Sequence, residues 1–333
     1  MTSEVAAVSV TGSRGASGVV LGLAAGLAFG AGGVFIKPLL EAGWSPAAAV
    51  LARISVAALV LVVPGLVALR FDLRPLWRAK WTVLLYSCLA IVGTQVAFYA
   101  SIARIPVSMT LLIEYLAPIL LVVVVWLRTR RSPQRVVLGG SVLALAGLVL
   151  VIGPGGDLDV LGLLYAGIAM VGVAVYYVVG ARVDEDLPPV ALAAAGFVIG
   201  AIVLAAVGFT GLLPLEVEWS PVELLGMSVP WFVPVLIVGL ISTAFAYVAG
   251  IAAIARLGTR LASFLGLSEV VFAAIIGWIL LGEVLSVIQI LGGVLILAGI
   301  ICIRLERPAL SNGAAIELGV EPVPTTGAIT QPR

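Results

Sequence analysis

Two glutamates, Glu114 and Glu269, and one arginine, Arg53, lie deep inside stretches that are otherwise almost wholly apolar. An isolated charge near the centre of a bilayer costs about 2.5–3.5 kcal/mol even on lenient insertion scales. Such groups are kept to bind a charged small molecule, to carry a proton, or to neutralise one another. Glu114 sits in "LLIEYLAPILLVVVVW" (111–126), with Pro118 one helical turn after it. Proline has no N–H, so the Glu114 carbonyl loses its helical donor. A free carbonyl and a carboxylate at one level are untenable against lipid, but lining a cavity they make a small polar site. Thr110, one turn earlier, and Tyr115 add hydroxyls there, and Tyr247 is a further candidate wall residue. Glu114 and Arg53 enter from the same end and both lie roughly 10 Å deep, so mutual neutralisation is expected if their faces meet. Two readings stay open: a substrate or proton site, or a buried Arg–Glu pair that fixes packing while Pro118 only bends its helix.

Glu269 lies roughly 13 Å from its own end, near the midplane. The chain has no histidine, so the usual general base and near-neutral switch are absent. Glu114 and Glu269 are therefore the candidates for holding a coupling proton, because a carboxyl group out of water is held more cheaply neutral than charged. A protonated Glu269 that only bonds a neighbouring helix is the competing reading.

The elements that must position these residues are membrane helices. Of 333 residues, 62% are hydrophobic and 11% charged, against about 25% charged in a soluble domain. A spanning helix needs roughly 20 apolar residues. Ten stretches qualify: 17–38, 46–69, 81–103, 107–127, 135–153, 160–181, 189–210, 230–254, 259–281 and 285–304. Residues 1–16 and 305–333 read as disordered tails. Threading the chain with its N-terminus inside gathers Arg70, Arg74, Arg78, Lys80, Arg128 and Arg130 on the cytoplasmic side, with Lys37 and Arg104 left outside. The opposite orientation reverses the bias, so both termini are expected in the cytoplasm.

The chain also repeats itself. "IAR" (102–104) recurs at 254–256, Trp126 matches Trp278 at the same spacing, and Gly140, Ala146 and Gly147 match Gly292, Ala298 and Gly299. "GTQVAF" (93–98) is similar to "STAFAY" (242–247) after a short gap. Two halves of five spans each have opposite orientations, a feature of secondary transporters. Inversion puts Arg104 and Arg256 on opposite faces, which makes them gate candidates. Lys37 is expected to snorkel to water, and Glu283 to be solvated or to cap the following helix. "GLAAGLAFGAGG" (22–33) offers a face that lets another backbone approach closely.

"LSEVVFAAIIGWILLGE" (267–283), "LARISVAALVLVV" (51–63) and "IEYLAPILL" (113–121) resemble the drug/metabolite transporter superfamily in its EamA branch of ten-helix permeases. The sequence departs from that pattern at Val270, where proline often follows the carboxylate, and at Arg131, which stands in place of a second Glu283. The resemblance covers the halves 17–153 and 160–304. It implies an all-α integral membrane protein of ten transmembrane helices, arranged as two inverted five-helix repeats around a central cavity. It further implies export or exchange of small metabolites, commonly linked to the proton gradient, from a bacterial-type plasma membrane.

No cofactor or metal is expected: Cys88 and Cys302 lie in apolar runs, and no ligand cluster is present. The formal net charge of +1 gives nucleic acid no electrostatic footprint. An intramembrane enzyme lacks support, since a Ser–His or common zinc site needs histidine. A passive channel or facilitator is the main rival to a carrier. The expected partners are a small-molecule substrate, the bilayer and protons; the sequence does not fix the oligomeric state.

Overall fold

Apolar residues without polar periodicity make helices that are hydrophobic all round, the pattern of elements surrounded by lipid or by each other. The computed structural model describes residues 2–130, 133–152, 159–180, 187–224 and 226–305. Its first half runs α1 (Thr2–Glu41), α2 (Pro46–Ala68), α3 (Arg74–Arg78), α4 (Lys80–Leu85), a π-helical stretch (Tyr86–Gly93), α5 (Thr94–Ile102), α6 (Val107–Glu114), α7 (Ala117–Thr129) and α8 (Arg135–Ile152). The second half runs α9 (Val160–Gly180), α10 (Pro189–Phe209), β1 (Val222–Leu224), β2 (Met227–Val229), α11 (Phe232–Leu236), a π-helical stretch (Ile237–Phe245), α12 (Ala246–Gly266), α13 (Ser268–Leu281) and α14 (Val287–Leu305). Among the described residues, six helices are long and apolar enough to cross a membrane, and four shorter apolar ones accompany them.

Local signals set the boundaries. Ser45 caps α2 by accepting the Ala48 N–H at 3.3 Å, with Pro46 in the first turn, where its missing N–H is no loss. Both π-helical stretches end near a threonine whose hydroxyl donates to the carbonyl five residues back: Thr94 to Leu89 at 3.1 Å and Thr243 to Val238 at 2.8 Å. Such widened turns recur at functional sites.

The structure departs from the sequence expectations in places. The helix α1 begins at Thr2, across the stretch expected to be a disordered tail; residues 2–16 hold no proline to stop it. The helical run α12 continues to Gly266 through the joint expected at 255–258, but the chain reverses there against α1: Gly250 lies beside Ala25 and Leu257 beside Gly18, whereas Leu265 is back beside Gly22. The chain is also not purely helical. The joint at 211–229 forms a small antiparallel hairpin with Val222 opposite Val229, and Gly226 supplies the positive φ, 72°, of its turn. The C-terminal tail lies outside the described residues.

Large side chains such as Leu59, Val142, Val149, Ile202 and Val294 are exposed, while much of the core is small: Ala47, Ala48, Ala49, Ala57, Ala166 and Ala169. This suits a lipid-like solvent, in which close backbone approach replaces the hydrophobic effect as the packing force. The tightest example joins α8 to α14. A Cβ on Gly140 would lie 2.7 Å from the Gly299 carbonyl oxygen, and one on Gly292 would lie 2.6 Å from that of Gly147. The two helices therefore run antiparallel in backbone contact. Gly140→Leu is expected to lower stability by about 1–3 kcal/mol through overpacking, read as thermal unfolding in detergent. Gly139→Leu, at an exposed position with nothing within 4 Å, is expected to be neutral; equal effects would contradict the assignment of this interface.

Candidate functional site

A cavity of about 230 Å³ lies among α1, α2, α5, α6, α7, α9, α12 and α13, and Arg53, Glu114, Tyr115, Pro118, Tyr247 and Glu269 all line it. Two helix interruptions build it. The first separates α6, which ends at Glu114, from α7, which begins at Ala117 with Pro118 in its first turn. Proline is harmless there, so Pro118 marks a true break rather than a bend. The second separates α12 from α13 at Leu267. No proline causes this break. Gly266 weakens the end of α12, and the Ser268 hydroxyl bonds back to the Leu265 carbonyl at 2.6 Å, a local bond that competes with helix.

The interruptions face one another. The Tyr115 hydroxyl, held at the first break, lies 3.0 Å from the Gly266 carbonyl and 2.8 Å from Oε2 of Glu269 at the second. Glu269 occupies the first turn of α13, where the positive end of the helix dipole favours a carboxylate. Behind it, α1 lies backbone to backbone on α13: a Cβ on Gly30 would sit 2.6 Å from the Glu269 carbonyl oxygen. The small-residue stretch of the first helix is thus used as the sequence implied.

Arg53 does not pair with Glu114. It is 8% exposed; its Nε donates to Thr243 Oγ1 at 2.6 Å and its Nη1 to the Tyr99 hydroxyl at 3.1 Å. Its guanidinium carbon also lies 5.7 Å from the centre of the Tyr99 ring. Among the described residues the ion pairs are Lys37–Glu283 and Arg104–Asp159. Both expected charges therefore reach one cavity while the guanidinium is bonded to neutral groups. Thr243 occupies the place the ion pair was expected to fill, because the widened turn around it brings its hydroxyl to Arg53.

Other expectations divide. Tyr247 stands edge-on between Phe29 and Phe197, with ring centres 5.3 and 5.1 Å away, and forms an aromatic wall. Thr110 does not line the cavity. It is fully buried at the α5–α6 joint, bonded to the Ser101 hydroxyl at 2.9 Å and the Pro106 carbonyl at 3.3 Å. Arg256 is exposed and its Nη1 donates to Ala252 of its own helix at 3.2 Å. Arg104 binds Asp159 at 2.8 Å, away from the cavity. The Asp159 carboxyl, which caps α9, is held below the usual carboxylate range by the Gly162 N–H first and by Arg104 second. Sequence reasoning missed Gln95, whose Oε1 is buried in the cavity wall without a hydrogen-bond partner among the described residues. A lone amide inside an apolar run was the available signal. No group of three or more metal-ligating side chains occurs among the described residues.

Tyr115→Phe removes the link between the two breaks. It is expected to lower stability by about 0.6–1.7 kcal/mol, the range for hydrogen bonds between membrane helices, measured by thermal unfolding in detergent. An unchanged midpoint would show that the bridge carries no weight.

The EamA-like transporter family matches this chain twice, at residues 16–153 and 160–305. The threonine/homoserine exporter RhtA of Salmonella typhimurium is 31% identical over 244 residues, covering 68% of this chain and 77% of its own length. Its Escherichia coli K12 counterpart is 30% identical over the same span. The uncharacterized transporter YwfM of Bacillus subtilis is 27% identical, covering 67% and 73%. A solved crystal structure shares the fold with a TM-score of 0.57 at 17% identity, covering 86% of this chain and 96% of its own. With two family matches spanning nearly everything between the tails, this multi-pass membrane chain belongs to the EamA-like transporter family.

Proposed function

We propose that this transporter exports small zwitterionic amino acids by alternating access, in exchange for protons carried on Glu114 and Glu269. The observation that carries this reading is the charge set of the cavity: a buried guanidinium bonded to neutral hydroxyls, and two carboxylates, within about 230 Å³. That volume is below the roughly 300–1,000 Å³ of pockets for drug-sized ligands, which favours a small metabolite. Arg53 would take the substrate carboxylate in the planar fork that suits it. Glu114 and Glu269 would take the ammonium, with the Tyr247 ring as an apolar and cation-tolerant wall. The free Gln95 oxygen would accept from a side-chain hydroxyl. RhtA relatives named for threonine and homoserine support that choice.

Exchange follows from the charges. An uncompensated carboxylate inside the membrane costs about 2.5–3.5 kcal/mol, so the carrier reorients readily only with each glutamate neutralised by ammonium or by a proton. Substrate and proton then compete for the same oxygens. The proposed frame is ten spans in two inverted repeats, 17–153 and 160–304, flanked by cytoplasmic tails. Reciprocal contacts support it: Gly140 with Gly299 beside Gly147 with Gly292, and α2 on the second π-helical stretch while α10 lies on the first. A break in the fourth span of each half supports it too. The bias of Lys and Arg supports placing the α1–α2 joint outside.

Counterflow in proteoliposomes tests the substrate class. Labelled threonine is expected to enter vesicles preloaded with threonine, and homoserine to compete. Threoninol, lacking the carboxylate, and N-acetylthreonine, lacking the ammonium, are expected to compete at least tenfold less well, about 1.4 kcal/mol. Equal competition by N-acetylthreonine would overturn the role of the glutamates, and equal competition by threoninol that of Arg53.

A further inference from the structure

The carboxylate of Glu283 gathers the ends of three helices. The helix α13 ends at Gly282 with φ 66°, and the Glu283 N–H turns back to the Gly277 carbonyl at 3.2 Å. This folds the side chain over its own helix: a Cβ on Gly277 would sit 3.0 Å from Glu283 Oε2. There the carboxylate meets Lys37 near the end of α1. It also accepts the Val107 N–H at the start of α6, at 3.1 Å to Oε2 and 3.3 Å to Oε1. The first N–H groups of a helix have no partner of their own, so this bond fills a real vacancy. The Lys37 and Glu283 side chains are 16% and 8% exposed. The sequence predicts a Lys37 that snorkels to water and a Glu283 that is solvated or caps the following helix, whereas Glu283 caps α6 instead.

Each of the three helices also reaches the cavity. The helix α6 runs from Val107 to Glu114, and α13 from Glu269 to the Glu283 turn. The helix α1 carries Phe29 and Gly33 in the cavity wall and lies on the Glu269 backbone through Gly30. One contact thus fixes the far ends of both half-helices whose near ends carry the cavity glutamates. Arg104–Asp159, with side chains 42% and 37% exposed, is a solvated pair of the kind that contributes little.

We propose that Lys37, Glu283 and the Val107 amide form the gate that closes the cavity at the α1–α2 end, and that this contact must part for the cavity to open there. The proposal rests on the alternating-access reading above. A buried ion pair suits a reversible gate: severed in a dry interior it leaves bare charges, whereas opening to water solvates both. Substrate or protons at Glu114 and Glu269 would bias the gate through the rigid half-helices that end on it.

Spin-label distances test this without any substrate. Labels go on cysteines introduced at the exposed positions Ala103 and Val284, beside the gate, in full-length protein with Cys88 and Cys302 replaced by alanine. In nanodiscs, the parent and Lys37→Arg are expected to give one short distance. Glu283→Gln keeps an acceptor for Val107 and loses only the ion pair; it and Lys37→Gln are expected at least to double the long-distance fraction. Unchanged distances in both glutamine variants, with only a lowered melting temperature, would make the contact a packing staple and overturn the gate. The two readings fail separately. Opening in the glutamine variants without amino-acid exchange by the parent would keep the gate and remove the substrate assignment; exchange with unchanged distances would do the reverse.

Discussion

A helix interrupted inside a membrane leaves backbone polar groups that lipid cannot satisfy, and among the described residues the apolar helices are interrupted at Tyr115–Leu116 and at Leu267, on either side of one cavity. Much of the surrounding architecture answers that constraint. Tyr115 reaches from one break to the Gly266 carbonyl at the other. The glycines of α1 let its backbone lie against the start of α13. Pro118 needs no N–H partner in the first turn of α7. The breaks can exist only where protein or a cavity surrounds them, so their position determines where a polar site can be, and the glutamates at their edges occupy it.

The charges are handled in two different ways. At the α1–α2 end, Lys37 and Glu283 neutralise each other in a nearly dry contact. In the cavity, Arg53 is held by a tyrosine and a threonine hydroxyl, and the Glu269 carboxylate accepts from the Tyr115 hydroxyl rather than from a cation. Neutral partners position a charge without neutralising it, which leaves it available to a ligand of opposite sign. The same reasoning separates Gln95, with its unpartnered oxygen, from Thr110, whose hydrogen bonds are complete within the fold.

That Arg53, Glu114 and Glu269 lie within apolar helices was legible in the sequence; direction around each helix was not. Counting residues from the span ends put Arg53 and Glu114 at matching depth and Glu269 near the midplane. The structure brings all three to one cavity, and Glu114 followed by Pro118 marked the first break. A helix apolar on every side gives no periodicity to say which face meets which neighbour. The partners of Arg53 and Glu283 therefore could not be read. The second break lacked a proline, and Gly266 and the Ser268 back-bond mark it instead. The repeated glycines were legible because packing at backbone distance tolerates no substitute, and the structure puts Gly140 and Gly147 against Gly299 and Gly292.

The central claim is that the two glutamates at the breaks carry the exchanged protons. The most direct measurement is the pH dependence of threonine counterflow by the parent protein, Glu114→Gln and Glu269→Gln, with folding of each verified in the same vesicles. The expected result is that at least one variant still exchanges threonine while its rate loses the pH dependence of the parent. Two folded variants that exchange threonine with the parent pH profile would contradict the account and leave the glutamates as structural groups.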